Sequence, residues 1–453
     1  MNALSQQRFE ALAGYARQPT RIPVRECEWY EAQNERLLGL IILEGIDNEY
    51  GGIVFGRDAN RRFRWVAGTR FFDNVDAARA ALSRCVEEQS RQTDESFEQG
   101  DEGKTTALLT PVVSEAQFGS LFRTLVTSES YSPAKGLIDA LSPYFRDLDG
   151  NFIQQFQTTA FDARIFELYL FATLHEMGYG FDQAENAPDF HCIDPWVELF
   201  VEAVTAQPTQ GVESLPLPTT PSAVSEYLEH AAMKFGSALF SKLQKKYWER
   251  RHVAGRPLVF AIQNFSGPLS TVTTSTALAN YLYGWRHHSS RDKDGHLVIT
   301  PERITEHRYG QKVVPSDFFA LQGCEHISAV MHNPHATLPK FNRMGVLAGF
   351  GSDRIKLIRT GHLKDHDPDA AVPKEFSIDV RDPAYSETWA EGLSVYHNPR
   401  ALIPLDRKVF PGSAHHYIQD DGMMVSYMPD YFPMGSITTI VTLTGQSETA
   451  PKP

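Results

Sequence analysis

The sequence predicts an α/β protein of several domains, and three observations predict it. Between residues 151 and 290, helical apolar periods alternate with strand patterns and end in the nearly continuous apolar run 257–265, PLVFAIQNF, of a strand covered on both faces. Near the start of the chain, three β runs divided by turn residues are closed by a helix. From residue 291 the chain becomes turn-rich, with short β segments. The expectation is a small α+β domain (a β-meander plus helix) at 1–95, a polar linker with helices at 96–150, an α/β core at 151–290, a β-rich C-terminal domain at 291–448 and a tail at 449–453. A chain of 453 residues has room for this division.

Composition bounds the function. Hydrophobic residues at 42% and charged residues at 22% describe a globular protein. Cys27, Cys85, Cys192 and Cys324 are scattered without a CxxC pair, which argues against a zinc module or disulfide framework and points to the cytoplasm. No signal pattern opens the chain, and the longest apolar run, at 37–43, is too short to span a bilayer, so no membrane partner is expected. The net charge of −13 counts against non-specific nucleic-acid binding. Its distribution softens that: acid gathers at 87–102 in a linker-like stretch, and base gathers at Lys234, Lys242, Lys245, Lys246, Arg250, Arg251 and Arg256. Such a strip is either a solvated helix face or a phosphate track.

The elements follow in order. Phe9, Leu12 and Tyr15 share one face of an opening helix. Three strands are expected at 37–45, 50–58 and 61–69, then a helix capped by Asp76. Phe118, Leu121, Phe122 and Leu125 restore a helical period, and the segment at 147–151 is a turn with a superficial calcium-loop look. A helix at 162–177 stops at Gly178, followed by strands at 179–182, 188–193 and 197–205. A proline-rich loop at 208–221 leads to a long helix, capped by Ser222 or Ser225 and reaching Trp248. A further helix, 276–283, ends at Gly284. In the C-terminal region the sequence HNPxA occurs twice, at 332–336 and 397–401, each time after a strand pattern, and reads as a strand-ending turn or a duplicated β unit.

Three carboxylates fall on three successive elements of the core: Glu167 on a helix, Asp189 after Pro188, and Glu202 within VELFVEAV. A glutamate among Phe200, Val201, Ala203 and Val204 is costly if buried without a partner. Period 2 puts Glu202, Phe200 and Val204 on one face and Val201 and Ala203 on the other. If the last two strands form a hairpin, Asp189 and Glu202 converge at one sheet edge. Two carboxylates plus waters and phosphate oxygens suffice for magnesium, which can neutralise charge in a displacement at phosphorus.

This order of helix with Glu, short strand, Pro-Asp strand, apolar strand with Glu, helix and buried strand resembles the restriction-endonuclease-like, or PD-(D/E)XK, nuclease superfamily over about residues 155–285. The matching pieces are FDARIFELYL, APDF, LFVEAVT, KFGSALFSKLQKKYW and PLVFAIQNF. The resemblance implies a mixed sheet flanked by helices and a magnesium- or manganese-dependent phosphodiesterase. Asp189 and Glu202 would be metal ligands, and Glu167 an accessory acid and third ligand. The superfamily places a catalytic lysine two residues after the last acid, where this chain has Val204. In related nucleases that lysine can sit on the following helix, which makes Lys242 and Lys246 the candidates, four apart on one face. The expected function is a DNA nuclease, in genome defence or repair. The alternative is an inactive nuclease-like scaffold that binds nucleic acid or a protein partner. A second copy of the chain is a further candidate partner. A third reading uses the histidines His287, His288, His332, His335, His397, His415 and His416, although HExxH, GxSxG and a phosphate loop ending in GK[ST] do not occur.

Overall fold

The computed structural model describes residues 1–92, 96–97, 99, 105–148, 150–208, 220–267 and 274–443. The N-terminal unit is an antiparallel five-stranded sheet in sequence order: β1 (Asn2–Ala3), β2 (Val24–Ala32), β3 (Leu37–Glu44), β4 (Tyr50–Arg57) and β5 (Phe63–Gly68). Helix α1 (Gln6–Ala13) covers one face through Phe9 and Leu12, and α2 (Val75–Ser90) covers the other through Ala78, Leu82 and Val86. The expected meander is present, with β2 in addition. That strand reads weakly because its residues are charged or half-exposed along its length. Asn74, not Asp76, caps α2 by accepting from the Ala77 N–H at 2.9 Å; Asp76 sits in the first turn and pairs with Arg79.

The residues described between 105 and 148 hold the expected helices, and these reach into the core. Helices α3 (Ser120–Thr127) and α4 (Ser132–Leu141) bury Phe122, Leu125, Leu137 and Ile138 in the main hydrophobic cluster. Asp147 forms a turn by accepting from the N–H groups of Gly150 (2.7 Å) and Phe152 (3.0 Å). Most of the acidic stretch from 93 to 102, the proline-rich loop and the tail at 449–453 lie outside the described residues.

Helices α5 (Phe152–Gln157) and α6 (Phe161–Glu176) lead into the central sheet. Its described strands are β6 (Gly180–Asp182), β7 (Phe190–Ile193), β8 (Glu198–Ala206), β9 (Leu258–Asn264), β14 (Ala329–His332), β17 (Ser394–His397), β18 (Ala414–Ile418) and β19 (Met424–Tyr427). They lie in the order β19-β18-β17-β14-β9-β8-β7-β6. The middle trio β8, β9 and β14 runs parallel, and β7 and β17 flank it antiparallel. A boundary at residue 290 therefore passes through one continuous sheet. The C-terminal strands join it because β9 offers a bare parallel edge to β14.

Burial on both faces follows from the alternation. Leu199, Val201 and Ala203 of β8, with Val259 and Ala261 of β9, pack in the cluster that contains α6. Phe200 and Val204, with Leu258, Phe260 and Ile262, pack under α7 (Pro221–Leu243) and α8 (Thr274–Tyr283). Helix α6 is buried around nearly its whole girth, so its sequence shows little of the one-sided pattern of a surface helix. Thr220, not Ser222 or Ser225, caps α7.

The remaining strands form smaller ladders: β10 (Trp285–Arg291) with β11 (Leu297–Arg303), β12 (Glu306–Tyr309) with β13 (Lys312–Pro315), and β15 (Ile355–Leu363) between β16 (Lys374–Asp379) and β20 (Pro433–Thr442). Helix α9 (Leu338–Leu347) packs on α4. The two HNPxA segments end β14 and β17, which are antiparallel neighbours. Both form the same turn: Asn333 Oδ1 accepts from the His335 N–H and Asn398 Oδ1 from the Arg400 N–H, each at 2.9 Å.

Candidate active site at the open edge of a strand

The β7–β8 ladder pairs Phe190 with Val201, so the next position on each strand brings Asp189 opposite Glu202. At that point β7 ends and β8 continues to Ala206. The N–H of Ala203, which the ladder no longer satisfies, donates to Asp189 Oδ2 at 2.7 Å. The Asp189 N–H donates in return to Glu202 Oε2 at 3.2 Å. A carboxylate thus continues the hydrogen bonding of the missing strand, which fixes Asp189 at the sheet edge. The preceding turn is held from the other side: Ala187 O accepts from His252 Nε2 (2.9 Å) and Arg250 Nη1 (3.1 Å), and the Ala187–Pro188 bond is cis.

Glu202 faces the α7 side with Phe200 and Val204, as period 2 requires, and is 2% exposed. Its Oε1 accepts from the Lys242 ammonium and from the Tyr247 hydroxyl, the latter at 2.6 Å. Lys242 is the penultimate residue of α7. Burial alone would lower its pKa, but the charges of Glu202 and Asp189 outweigh this and raise it, so the ammonium stays protonated at neutral pH.

Lys246 lies outside this cluster. Helix α7 stops at Leu243, Lys246 takes a left-handed φ of 48°, and its exposed ammonium pairs with Glu249 at 3.4 Å. The shared helical face of Lys242 and Lys246 therefore does not exist, because the helix ends between them. The left-handed residue reverses the chain so that Tyr247 turns inward to Glu202.

Glu167 approaches from α6. Both of its oxygens accept from Arg164 Nη1, at 2.7 and 2.8 Å, and Arg164 also donates to Gln155 Oε1. Burial, against the pull of Arg164, raises the Glu167 pKa to about 6. Burial, then the charges of Glu202 and Glu167, push Asp189 well above the usual carboxylate range. Asp189 and Glu167 line a cavity of about 60 Å³ with Arg146, Asp182 and His191. Glu198, the nearby rival of Glu202, turns instead to His191 and Arg256, each at 2.7 Å.

The structure thus brings Glu167, Asp189, Glu202 and Lys242 into one electrostatically coupled group and leaves Lys246 out. Three carboxyl groups sit with two cations, Lys242 and Arg164; burial and mutual repulsion raise the pKa of Asp189 and Glu167, and a cation bound beside them would favour their ionised forms. Among the described residues, no three Asp, Glu, His or Cys side chains are grouped closely enough to hold a metal ion. The donor set fits a magnesium-type ion through Asp189 and Glu202, since such ions keep waters and need only one or two carboxylates. Glu167, engaged by Arg164, does not fit as a third direct ligand. Arg164 and Tyr247 belong to the cluster although the sequence marks neither as a site residue, and Tyr247 reads there as part of the apolar face of the long helix. Arg164 stands three residues before Glu167, a spacing that brings helical side chains together. Tyr247 has no such local signal.

The histidines are placed apart from this site. His397 Nε2 and His415 Nδ1 meet at 2.9 Å across β17 and β18, while His416 turns to Ser426. The doublet points to opposite faces, as a strand requires. Among protein-family models, curated proteins and solved structures, none matches this chain.

Proposed function

We propose that the chain is a metal-dependent nuclease that hydrolyses phosphodiester bonds of DNA. The observation that supports this best is the placement of Lys242 on Glu202, beside Asp189 at the open strand edge. The cluster has the composition of a two-carboxylate-and-lysine hydrolytic centre although Val204 occupies the expected lysine position.

Asp189 and Glu202 would hold a magnesium or manganese ion, with waters and a substrate phosphate completing its oxygen shell. Bound there, such an ion supplies charge neutralisation at phosphorus and lowers the pKa of water. Lys242, held protonated by its carboxylate neighbours, acts as a donor that orients the attacking water and steadies the developing negative charge, not as a proton acceptor. Arg164 holds Glu167 in place behind Asp189. Genome defence or repair is the setting in which such an activity would serve.

A specific observation favours a second reading, an inactive nuclease-like scaffold. The Glu202 oxygens already accept from Lys242, Tyr247 and the Asp189 N–H, so the cluster is close to self-satisfied. The test is cleavage of supercoiled, linear and single-stranded DNA and of RNA, with magnesium, manganese or chelator. Asp189→Asn and Glu202→Gln are the variants. Metal-dependent cleavage lost in both supports the nuclease; cleavage indifferent to chelator or to both substitutions overturns the site. Binding without cleavage in every condition favours the scaffold.

A further inference from the structure

A cavity of about 1130 Å³ lies between the first turns of α7, helix α8, strand β10 and the β18–β19 hairpin. None of Glu167, Asp189, Glu202 and Lys242 lines it. Met423, Met424, Met428 and Met434, four of the chain's nine methionines, line it together with Tyr396 and Phe432. Thioether side chains are polarizable and adapt to flat or flexible apolar bodies. The volume lies just above the roughly 300–1,000 Å³ that small-molecule sites enclose.

Charge selects the ligand further. Acids outnumber bases 56 to 43 over the chain, yet no Asp or Glu is among the described lining residues. Arg286 and His288 reach the cavity already paired with Glu229 and Glu302, each at 2.7 Å. Lys364 lines it without an ion pair among the described residues.

One imidazole of the lining packs on an aromatic ring. His416 is 6% exposed and stacks on Tyr396 with ring centroids 4.8 Å apart. Its Nδ1 shares a hydrogen bond with Ser426 Oγ at 2.8 Å, and its Nε2 is enclosed with no hydrogen-bond partner among the described residues.

We infer that this cavity is a binding site for an amphipathic organic anion. Its apolar body rests on the methionines and Tyr396, and its anionic group meets Lys364. The inference stands apart from the nuclease reading and uses none of its residues.

The test uses two dyes of the same apolar frame, 1-anilinonaphthalene-8-sulfonate and its uncharged counterpart N-phenyl-1-naphthylamine, titrated by fluorescence into the full chain. The sulfonate should bind saturably, one per chain. Lys364→Glu should weaken the sulfonate by about tenfold and the neutral dye by less than about twofold. Met434→Asp, at a position 43% exposed and so tolerant of substitution, should weaken both. Circular dichroism checks that the variants stay folded. Two competitors separate the sources of such a ligand: displacement by laurate marks a lipid acid, and displacement by adenosine monophosphate marks a nucleotide. Binding that does not saturate, equal behaviour of both dyes in Lys364→Glu, or a bound sulfonate that neither competitor displaces overturns the assignment.

Discussion

Lys242 donates to Glu202 across 40 positions of sequence, from the end of a helix to the face of a strand. Val204, two residues beyond Glu202, points to the same face and is packed with Phe235 and Leu239 of that helix. A lysine at 204 and a lysine at 242 would therefore address the same side of the sheet. The helix supplies the cation, and the strand position is released to the hydrophobic core.

This relationship separates the two lysines. Lys242→Ala should reduce cleavage by about 10²-fold or more, in line with the loss of a positioned donor at a reacting centre. Lys246→Ala and Lys245→Ala should each stay within about twofold. Plasmid-nicking rates for the three variants at matched metal concentration check this. Equal rates in all three would remove Lys242 from the mechanism.

Glu387 tests a different buried cluster. It accepts from Arg343 at 2.7 and 2.8 Å, from Lys340 at 3.1 Å and from the Tyr385 hydroxyl, with all four side chains buried or nearly so. Despite burial, these cations hold its pKa well below the usual carboxylate range. Because the folded-state value lies below the unfolded one, the contribution is present above about pH 4.5 and is lost as pH falls through the folded value. Glu387→Gln should cost about 3–5 kcal/mol at pH 7 by stranding buried cations. Denaturant melts should show that difference shrinking in acid.

His332 gives the opposite titration. It is fully buried, its Nδ1 donating to Ile262 O at 2.8 Å and its Nε2 meeting Thr274 Oγ1 at 3.1 Å. Burial lowers its pKa from 6.5 to about 4. Between these values the unfolded chain binds the extra proton, so stability rises with pH across the window and falls on acidification. From pH 7 to pH 5 the loss from this one group should be about 2 kcal/mol. His332→Gln, which keeps a donor but does not titrate, should flatten the pH dependence of stability by that amount.

Two glycines of the α9 region distinguish crowding from backbone strain. A Cβ on Gly345 would stand 2.3 Å from Pro133 O, where α9 crosses α4. Gly349 has open space around it but a φ of +70°. Gly345→Ala should cost about 1–3 kcal/mol through overpacking, and Gly349→Ala about 1 kcal/mol through the left-handed backbone. Thermal melts of both, measured side by side, check the order.

The local pattern of the sequence carried much of the core. Strand alternation put Glu202 with Phe200 and Val204, and the apolar run at 257–265 marked β9 as covered on both faces. Other features depended on partners distant in sequence. The end of α7 was invisible because Lys245, Lys246 and Tyr247 are all acceptable in a helix; the left-handed turn at Lys246 is set by what Tyr247 reaches, the buried Glu202. The division at residue 290 failed for a related reason. The C-terminal strands look like a separate β-rich unit in composition, yet β14 pairs with β9 and β17 with β14, and no local pattern announces which edge a strand will join.

The shared sheet bears on how this chain can be dissected. A fragment ending near residue 290 would keep Glu167, Asp189, Glu202 and Lys242 but leave one edge of β9, from Val259 to Ile262, without its β14 neighbour, baring main-chain donors, acceptors and the apolar side chains around them. The acidic cluster and the C-terminal half thus rise and fall as one cooperative unit. The carboxylate–lysine cluster is not a cassette that can be cut out or grafted elsewhere.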